Sequence, residues 1–557
     1  MRRAGVLAAV FSLPGHYGIG DFGKFAYEFI DMLSEQGLRV WQVLPLNPIG
    51  YGHSPYQPYS SEAGDTVYVD LGQLFEEGLL RFLPEAFQAE SKKVNYEDVR
   101  AYKQPYFEEA YRNFRKDAEY EKFASQEWVY LYAVFHALKL KNNDLPWNEW
   151  PEQDREWIAE RDPESPVLSG LSDAIGLEMF LQYEFCRQWQ KIRAYAREHG
   201  VLIMGDIPFY VGQDSLDVWA NQEEFLLDPD GYPGFVAGVP PDYFAAEGQR
   251  WGNPIYDWKH MEENGFAFWE NRLLHTAKLY DMIRIDHFRA FDTYWKVPRS
   301  CPTAMVGEWI EAPGYALFDK MLPLLSGTEI IAEDLGEMRQ EVYDLRDHYN
   351  FPGMNVLQFT LLDPHFKIRE NMFVYTGTHD NDTVLGWYRT QPPVEQRKIQ
   401  IVLQGLEKEE EVRLEREKKW LEAVEELRDL REQLLPGKQP PDTALSDEFL
   451  RRMQTLSAAA NKAPEPALAA NGSIRLPGGK ALIPEEEIAW AFVMRALQSE
   501  METCIIPWQD LLGLGSDARI NTPGIVNLEN WRSRMRNFDA LKPILKKYGA
   551  AAKQAER

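Results

Sequence analysis

Eight short apolar runs, each bounded by glycine, proline or charge, constrain this chain more than any other feature. They are Gly5–Phe11, Arg39–Leu44, Val201–Ile207, Asp281–Ile285, Glu329–Ala332, Met354–Phe359, Phe373–Tyr375 and Thr503–Ile506. Each has the length and the β-branched or aromatic content of a strand. None shows the strict alternation of a strand with one wet face, so both faces are expected to be buried. Helical patterns lie between the runs. Doubly buried strands alternating with helices predict an α/β fold, a (β/α)8 TIM barrel with large, mainly helical insertions. Several runs end directly in polar residues: Asp206, Asp286-His287, Glu333-Asp334 and His379-Asp380. In such a barrel these positions open onto the C-terminal face, where active sites are built.

Two long stretches interrupt the alternation within what reads as one catalytic barrel over residues 1–557. Residues 62–195 are helical by period and rich in aromatics, including Trp128, Trp147, Trp150, Trp157 and Trp189, and read as a mainly helical insertion subdomain. Residues 391–488 read as a charged helical insertion with a Pro/Gly-rich linker. Within it, Glu407–Gln433 mixes both charge signs around Trp420, Val424, Leu427 and Leu434, the pattern of a solvated amphipathic helix. Pro436-Gly437 and the Pro/Ala-rich sequence after it predict a turn and a linker, hence a projecting helical hairpin.

Charge narrows the partners. With 60 Lys and Arg against 87 Asp and Glu, the net formal charge is −27. That balance argues against a nucleic-acid partner, which needs clustered cations, and against an anionic membrane surface. Three cysteines, Cys186, Cys301 and Cys504, lie far apart and predict neither a disulfide framework nor a close-spaced zinc site, which suits a reducing, cytoplasmic setting. Arg2-Arg3 before Ala4–Leu13 resembles a signal peptide only in outline, because no small-x-small cleavage pattern follows; a buried strand is the expected reading. No stretch approaches the roughly 18 apolar residues of a membrane helix.

The acidic clusters carry the candidate chemistry. Arg284 and Asp286 are two apart on one strand and share a side of it, so the guanidinium can hold the carboxylate ionised, as a nucleophile requires. Glu333 leaves an apolar strand beside Asp334, a setting that raises a carboxyl toward general-acid work. Singly, these are equally an ion pair and a loop acid, and His379-Asp380-Asn381-Asp382 is equally a turn. Together they fit retaining glycoside chemistry, in which two carboxyls about 5–5.5 Å apart act as nucleophile and as acid then base. Sugar binding also wants aromatic faces and polar loops. Ser54-Pro55-Tyr56-Gln57, Pro240-Pro241-Asp242-Tyr243-Phe244 and Gln249-Arg250-Trp251-Gly252-Asn253 supply both.

On these residues the chain resembles the 4-α-glucanotransferases (amylomaltases, or disproportionating enzymes) of glycoside hydrolase family 77, relatives of the α-amylases. The likeness spans roughly residues 4–390 and 488–540. It rests on strings that include Gly18-Ile19-Gly20-Asp21, Ser54-Pro55-Tyr56-Gln57, Gly205-Asp206-Ile207-Pro208, Arg284-Ile285-Asp286-His287-Phe288-Arg289, Ala332-Glu333-Asp334-Leu335-Gly336, Thr378-His379-Asp380-Asn381-Asp382 and Ala518-Arg519-Ile520-Asn521. The resemblance implies that Asp286 is the nucleophile, with Arg284 keeping it ionised, and that Glu333 is the acid and then the base. It implies that Asp380 and His379 hold the sugar at the cleavage site, that Asp206 binds hydroxyls of the same ring, and that Tyr56 stacks on it. Phe244, Gln249 and Trp251 would lie in a loop arching over the cleft, and Ser54, beside Tyr56, and Asn521 would also bind substrate. The implied partners are maltooligosaccharides and α-1,4-glucans, with no metal and no organic cofactor. No histidine follows Asp206 within Ile207-Pro208-Phe209, which favours the transferases over plain amylases.

Three rivals stay open on sequence. A retaining α-1,4-glucan hydrolase would use the same three carboxylates, and differs in whether water or a second glucan meets the covalent intermediate. A metal-dependent barrel hydrolase would want more than ten histidines, and neither H-x-H nor H-E-x-x-H occurs. An inactive glucan-binding barrel would have no reason to keep all three acids. The segment 391–488 is longer and more charged than expected of compact members of the family, and lies outside every matching string.

Overall fold

The computed structural model describes residues 2–241, 246–325, 327–336, 338–432, 447–461, 463, 467–468 and 473–557. Phe244 and most of the Pro/Ala-rich linker therefore lie outside the described residues.

Among these residues the chain forms twelve strands. They are β1 (Arg3–Leu7), β2 (Val40–Gln42), β3 (Leu202–Ile207), β4 (Phe235–Val239), β5 (Gln249–Pro254), β6 (Met282–Ile285), β7 (Thr293–Pro298), β8 (Glu308–Glu311), β9 (Glu329–Ala332), β10 (Gly353–Val356), β11 (Met372–Tyr375) and β12 (Thr503–Pro507). Eight of them pair in parallel in the order β10-β11-β12-β1-β2-β3-β6-β9. The two outer strands meet where the Ala332 amide donates to the Pro352 carbonyl at 2.9 Å, which closes the (β/α)8 barrel. Each of the eight apolar runs supplies one barrel strand.

The reason the runs lack alternation is visible in the packing. Leu7, Val40, Met204, Met282, Ile331, Met354, Phe373 and Ile505, one from every barrel strand, pack together as the interior. Their neighbours Val6, Trp41, Ile203, Ile283, Ile330, Val374 and Cys504 belong to the larger core under the surrounding helices. Successive side chains thus enter two different apolar environments, so neither face can be polar. Gly205 lies within β3 for a steric reason: a Cβ there would run into the Tyr280 ring.

Helices between strands complete the wrap, among them Lys24–Glu35, Ser172–Glu198, Ala267–Leu279, Gln340–His348 and Glu485–Leu497. Between β2 and β3 lie the helices Tyr96–Asn113 and Glu127–Lys141, with Trp147, Trp150, Trp157 and Trp219 buried nearby. Ser172–Glu198 belongs to the barrel wall: Trp189 is buried there and donates from Nε1 to the Leu279 carbonyl at 3.0 Å. Between β11 and β12, helices Glu407–Glu432 and Asp447–Ala460 pack on each other, and Trp420 Nε1 donates to the Ala460 carbonyl at 2.8 Å.

One element was not expected. β4, β5, β7 and β8 form a second, antiparallel sheet in the order β5-β4-β7-β8 around Val236, Val297 and Ala304. Gln249 and Trp251, expected in a loop, lie on its strand β5. No helix among the described residues is long and apolar enough to cross a membrane.

Candidate active site

Adjacent barrel strands β3, β6 and β9 deliver four of the expected residues, Asp206, Arg284, Asp286 and Glu333, to one place. The register Asp206↔Arg284 across β3 and β6 sets those two side by side. Both are buried, and Arg284 Nη1 donates to Asp206 Oδ1 at 3.0 Å and Oδ2 at 2.7 Å. Its Nη2 reaches Asp286 Oδ1 at 2.9 Å. The fork therefore spends itself mainly on Asp206 and holds Asp286 by one oxygen. Burial, with the negative charges of Asp206, Glu333 and Asp380, presses the Asp286 carboxyl upward against the pull of Arg284. The expected one-to-one pairing that keeps Asp286 ionised is thus a shared one.

Glu333 follows β9, and its two oxygens accept from main-chain amides, Oε2 from His287 at 2.8 Å and Oε1 from Leu335 at 2.9 Å. His287 has a left-handed backbone, φ 52°, and that turn directs its amide back across β6 to β9. Burial raises the Glu333 carboxyl above its ordinary value, although Arg284 and the two amides oppose it. Burial also drives the His287 imidazole down to about 3, so it is neutral, and Trp251 sits edge-on to it at 4.9 Å.

The loop after β11 brings His379 and Asp380. His379 is buried and stacks on Tyr56 at 5.0 Å with planes 10° apart. Tyr56 in turn donates its hydroxyl to Asp206 Oδ2 at 2.7 Å, which ties the β2 loop to the charge cluster. Ser54 acts on the backbone there, its hydroxyl accepting from the Tyr56 amide at 3.3 Å. Asp380 is partly exposed, with Oδ2 3.5 Å from His379 Nε2 and Oδ1 accepting from Asn521 Nδ2 at 2.6 Å. Burial lowers His379 below its ordinary value. Its Nδ1 is buried without a hydrogen-bond partner among the described residues, as is Nε2 of His287.

On β5, Trp251 Nε1 donates to Gln249 Oε1 at 3.2 Å, and the Trp251 carbonyl accepts from Gln57 at 3.1 Å. Of the expected site residues, Asp206, Arg284, Asp286, Tyr56, His379, Asp380 and Asn521 thus form one network, its two polar halves joined by the stacking of Tyr56 on His379. Glu333 joins it through the His287 turn, and Gln249 and Trp251 approach from the second sheet. Trp531 was missed. It packs 5.7 Å from Tyr56 and 5.9 Å from His379, held by a left-handed backbone of φ 63°. Arg519, donating to the Asp380 carbonyl at 2.7 Å, was also missed as a contact. Neither carries a local signal, because what places them is the neighbourhood of β11 and β12.

A family model described as 4-alpha-glucanotransferase matches residues 8–540. The chain is 38% identical over 552 residues to a 4-alpha-glucanotransferase of Thermus thermophilus, covering 96% of this chain and 95% of the relative. It is 41% identical over 563 residues to one of Aquifex aeolicus, covering 98% of each. The amylomaltase from Streptococcus agalactiae, solved in complex with acarbose, superposes with a TM-score of 0.76 at 30% identity over 99% of both chains.

Proposed function

This chain belongs to the 4-alpha-glucanotransferase family, glycoside hydrolase family 77, and from that membership we propose how its site carries out the reaction. The enzyme moves α-1,4-glucan segments from a donor to the 4-hydroxyl of an acceptor glucan or glucose. Asp286 attacks the anomeric carbon through the oxygen that Arg284 leaves unbonded, while Glu333 gives its proton to the departing glycosidic oxygen. The C–O bond to the leaving chain breaks as the ester to Asp286 forms. An acceptor 4-hydroxyl then returns its proton to Glu333 and displaces Asp286, so configuration is retained and the acid is regenerated.

The observation that carries this reading is the division of one guanidinium between two carboxylates. Arg284 reaches Asp286 by a direct ion pair, whereas Glu333 is met by neutral amides. The ion pair favours the charged form of Asp286 more than neutral amides favour that of Glu333, so in this proposal the proton sits on Glu333 and the charge on Asp286. Asp380 stabilises the oxocarbenium-like state, and Asp206 and His379 take sugar hydroxyls. Tyr56 and Trp531 wall the ring. Trp251 covers the acid side and favours a second glucan over water. Maltooligosaccharides and α-1,4-glucans are the proposed substrates. A cytoplasmic setting is part of the proposal, supported by three free cysteines.

Incubation with maltotriose tests the reading. Transfer produces glucose and a ladder of longer oligosaccharides at nearly constant reducing ends. Reducing ends that climb with no product longer than maltotriose would establish a hydrolase instead.

A further inference from the structure

We propose that Asp510 is a positioning residue that fixes the loop carrying His379 and Asp380; this rests on the reading of Asp380 given above. Asp510 lies in the short helix Trp508–Leu511 after β12, and is buried. Its Oδ2 accepts from the Thr376 hydroxyl at 2.6 Å and its Oδ1 from the Val384 amide at 2.8 Å. Thr376 is the first residue after β11, and Val384 begins the helix Val384–Thr390. One carboxylate therefore grips both ends of the segment 376–384.

The loop is also bonded internally and from its neighbours. Asn381 Oδ1 accepts from the Thr378 amide and hydroxyl, both at 2.9 Å, and Gln358 donates to the Asp382 carbonyl at 2.8 Å. From the segment after Asp510, Arg519 and Asn521 donate to Asp380 itself. A rigid loop pinned at its base leaves Asp380 little freedom to leave its place over the reacting carbon.

The cost of this grip argues for a use. Burial pushes the Asp510 carboxyl up to about 6, and the hydrogen-bond donors that oppose the shift, Thr376 and Val384, are neutral. A buried carboxylate held by neutral donors is expensive, and an amide would join two segments at less expense. What the carboxylate adds is two equivalent acceptors in one rigid plane, which fixes both loop ends in a single geometry.

The test is a double-mutant cycle on maltotriose disproportionation, with folding checked by thermal melting. Displacing Asp380 by about an ångström costs on the order of 10²-fold, so Asp510→Ala is expected to lower kcat by about 30-fold or more while KM moves by less than about threefold. Asp510→Asn, which keeps the shape but only one of the two acceptors, should recover part of that loss. In an Asp380→Asn background, Asp510→Ala should cost less than about threefold more, because residues acting as one unit are not additive. Full multiplicative losses in that background, or an unchanged kcat for Asp510→Ala, would overturn the proposal. Asp380→Asn retaining wild-type kcat would instead overturn the site reading beneath it.

Discussion

At the barrel mouth one guanidinium, Arg284, faces the carboxylates of Asp206 and Asp286. At the root of the inserted hairpin the ratio is reversed: one carboxylate, Glu410, is gripped by Arg397 at 2.8 and 2.7 Å and by Arg413 at 2.8 Å. The residue types are the same and the consequences are opposite. Burial alone would raise Glu410, but hydrogen bonds from Arg397 and Arg413 outweigh it and carry the carboxyl down to about 2. Asp286 and Glu333 instead move upward, since burial and mutual repulsion exceed what one arginine can offset. A carboxylate with cations to spare is a permanent anion and a fastener. A buried carboxylate met by neutral donors, as Glu333 is, keeps its proton to higher pH than an ordinary one and can pass it on.

The difference can be broken from either side. Asp286→Asn should abolish transfer, a loss of about 10⁴-fold or more in kcat, with maltotriose binding by calorimetry nearly intact; normal turnover would remove Asp286 from the mechanism. Glu333→Gln should cost roughly 10²–10⁴-fold. It should also erase the alkaline limb of the kcat/KM profile, which in the wild type lies above the ordinary glutamate range because the carboxyl is raised. A limb that persists would place the acid elsewhere.

Stability sharpens the contrast. The raised Asp286 carboxyl is ionised at an energetic cost in the folded state, so Asp286→Asn should raise the melting temperature at alkaline pH by about 1–3 °C. That gain should vanish below the ordinary aspartate range, where the carboxyl is protonated folded and unfolded alike. Glu410→Gln should do the reverse on a smaller scale. Its depressed carboxyl contributes above the ordinary value of 4.5 and loses that contribution as pH falls toward 2. The variant should melt about 1 °C lower at neutral pH, with maltotriose transfer unchanged; a larger loss of activity than of stability would link the hairpin to the cleft.

How much was legible depended on where each signal resides. A barrel strand buried on both faces leaves a continuous apolar run, so all eight were readable, as were the acids that end them. The second sheet left no such trace. β5 reads Gln249-Arg250-Trp251-Gly252-Asn253-Pro254 and β8 reads Glu308-Trp309-Ile310-Glu311, short and largely polar, and β4 shifts register between Val236 and Gly238. Such strands are held by pairing, which sequence does not display. The sharing of Arg284 was equally hidden: Asp286 is its neighbour in sequence, but Asp206 is its neighbour only across β3 and β6. Trp531 and Asp510 escaped for the same reason.

The acid at the centre of the site takes its two hydrogen bonds from main-chain amides, and this has a consequence for descent. An amide donor has no codon of its own. Any residue but proline at positions 287 or 335 still offers the N–H that aims Glu333, and the left-handed turn narrows position 287 more than the bond does, toward residues such as asparagine or glycine. Mutation can therefore rework the aromatic and amide side chains around the site, and with them the glucans it would admit, without disturbing the heading of Glu333, the proposed proton donor. Lineages of this enzyme are free to diverge in diet while inheriting the same acid.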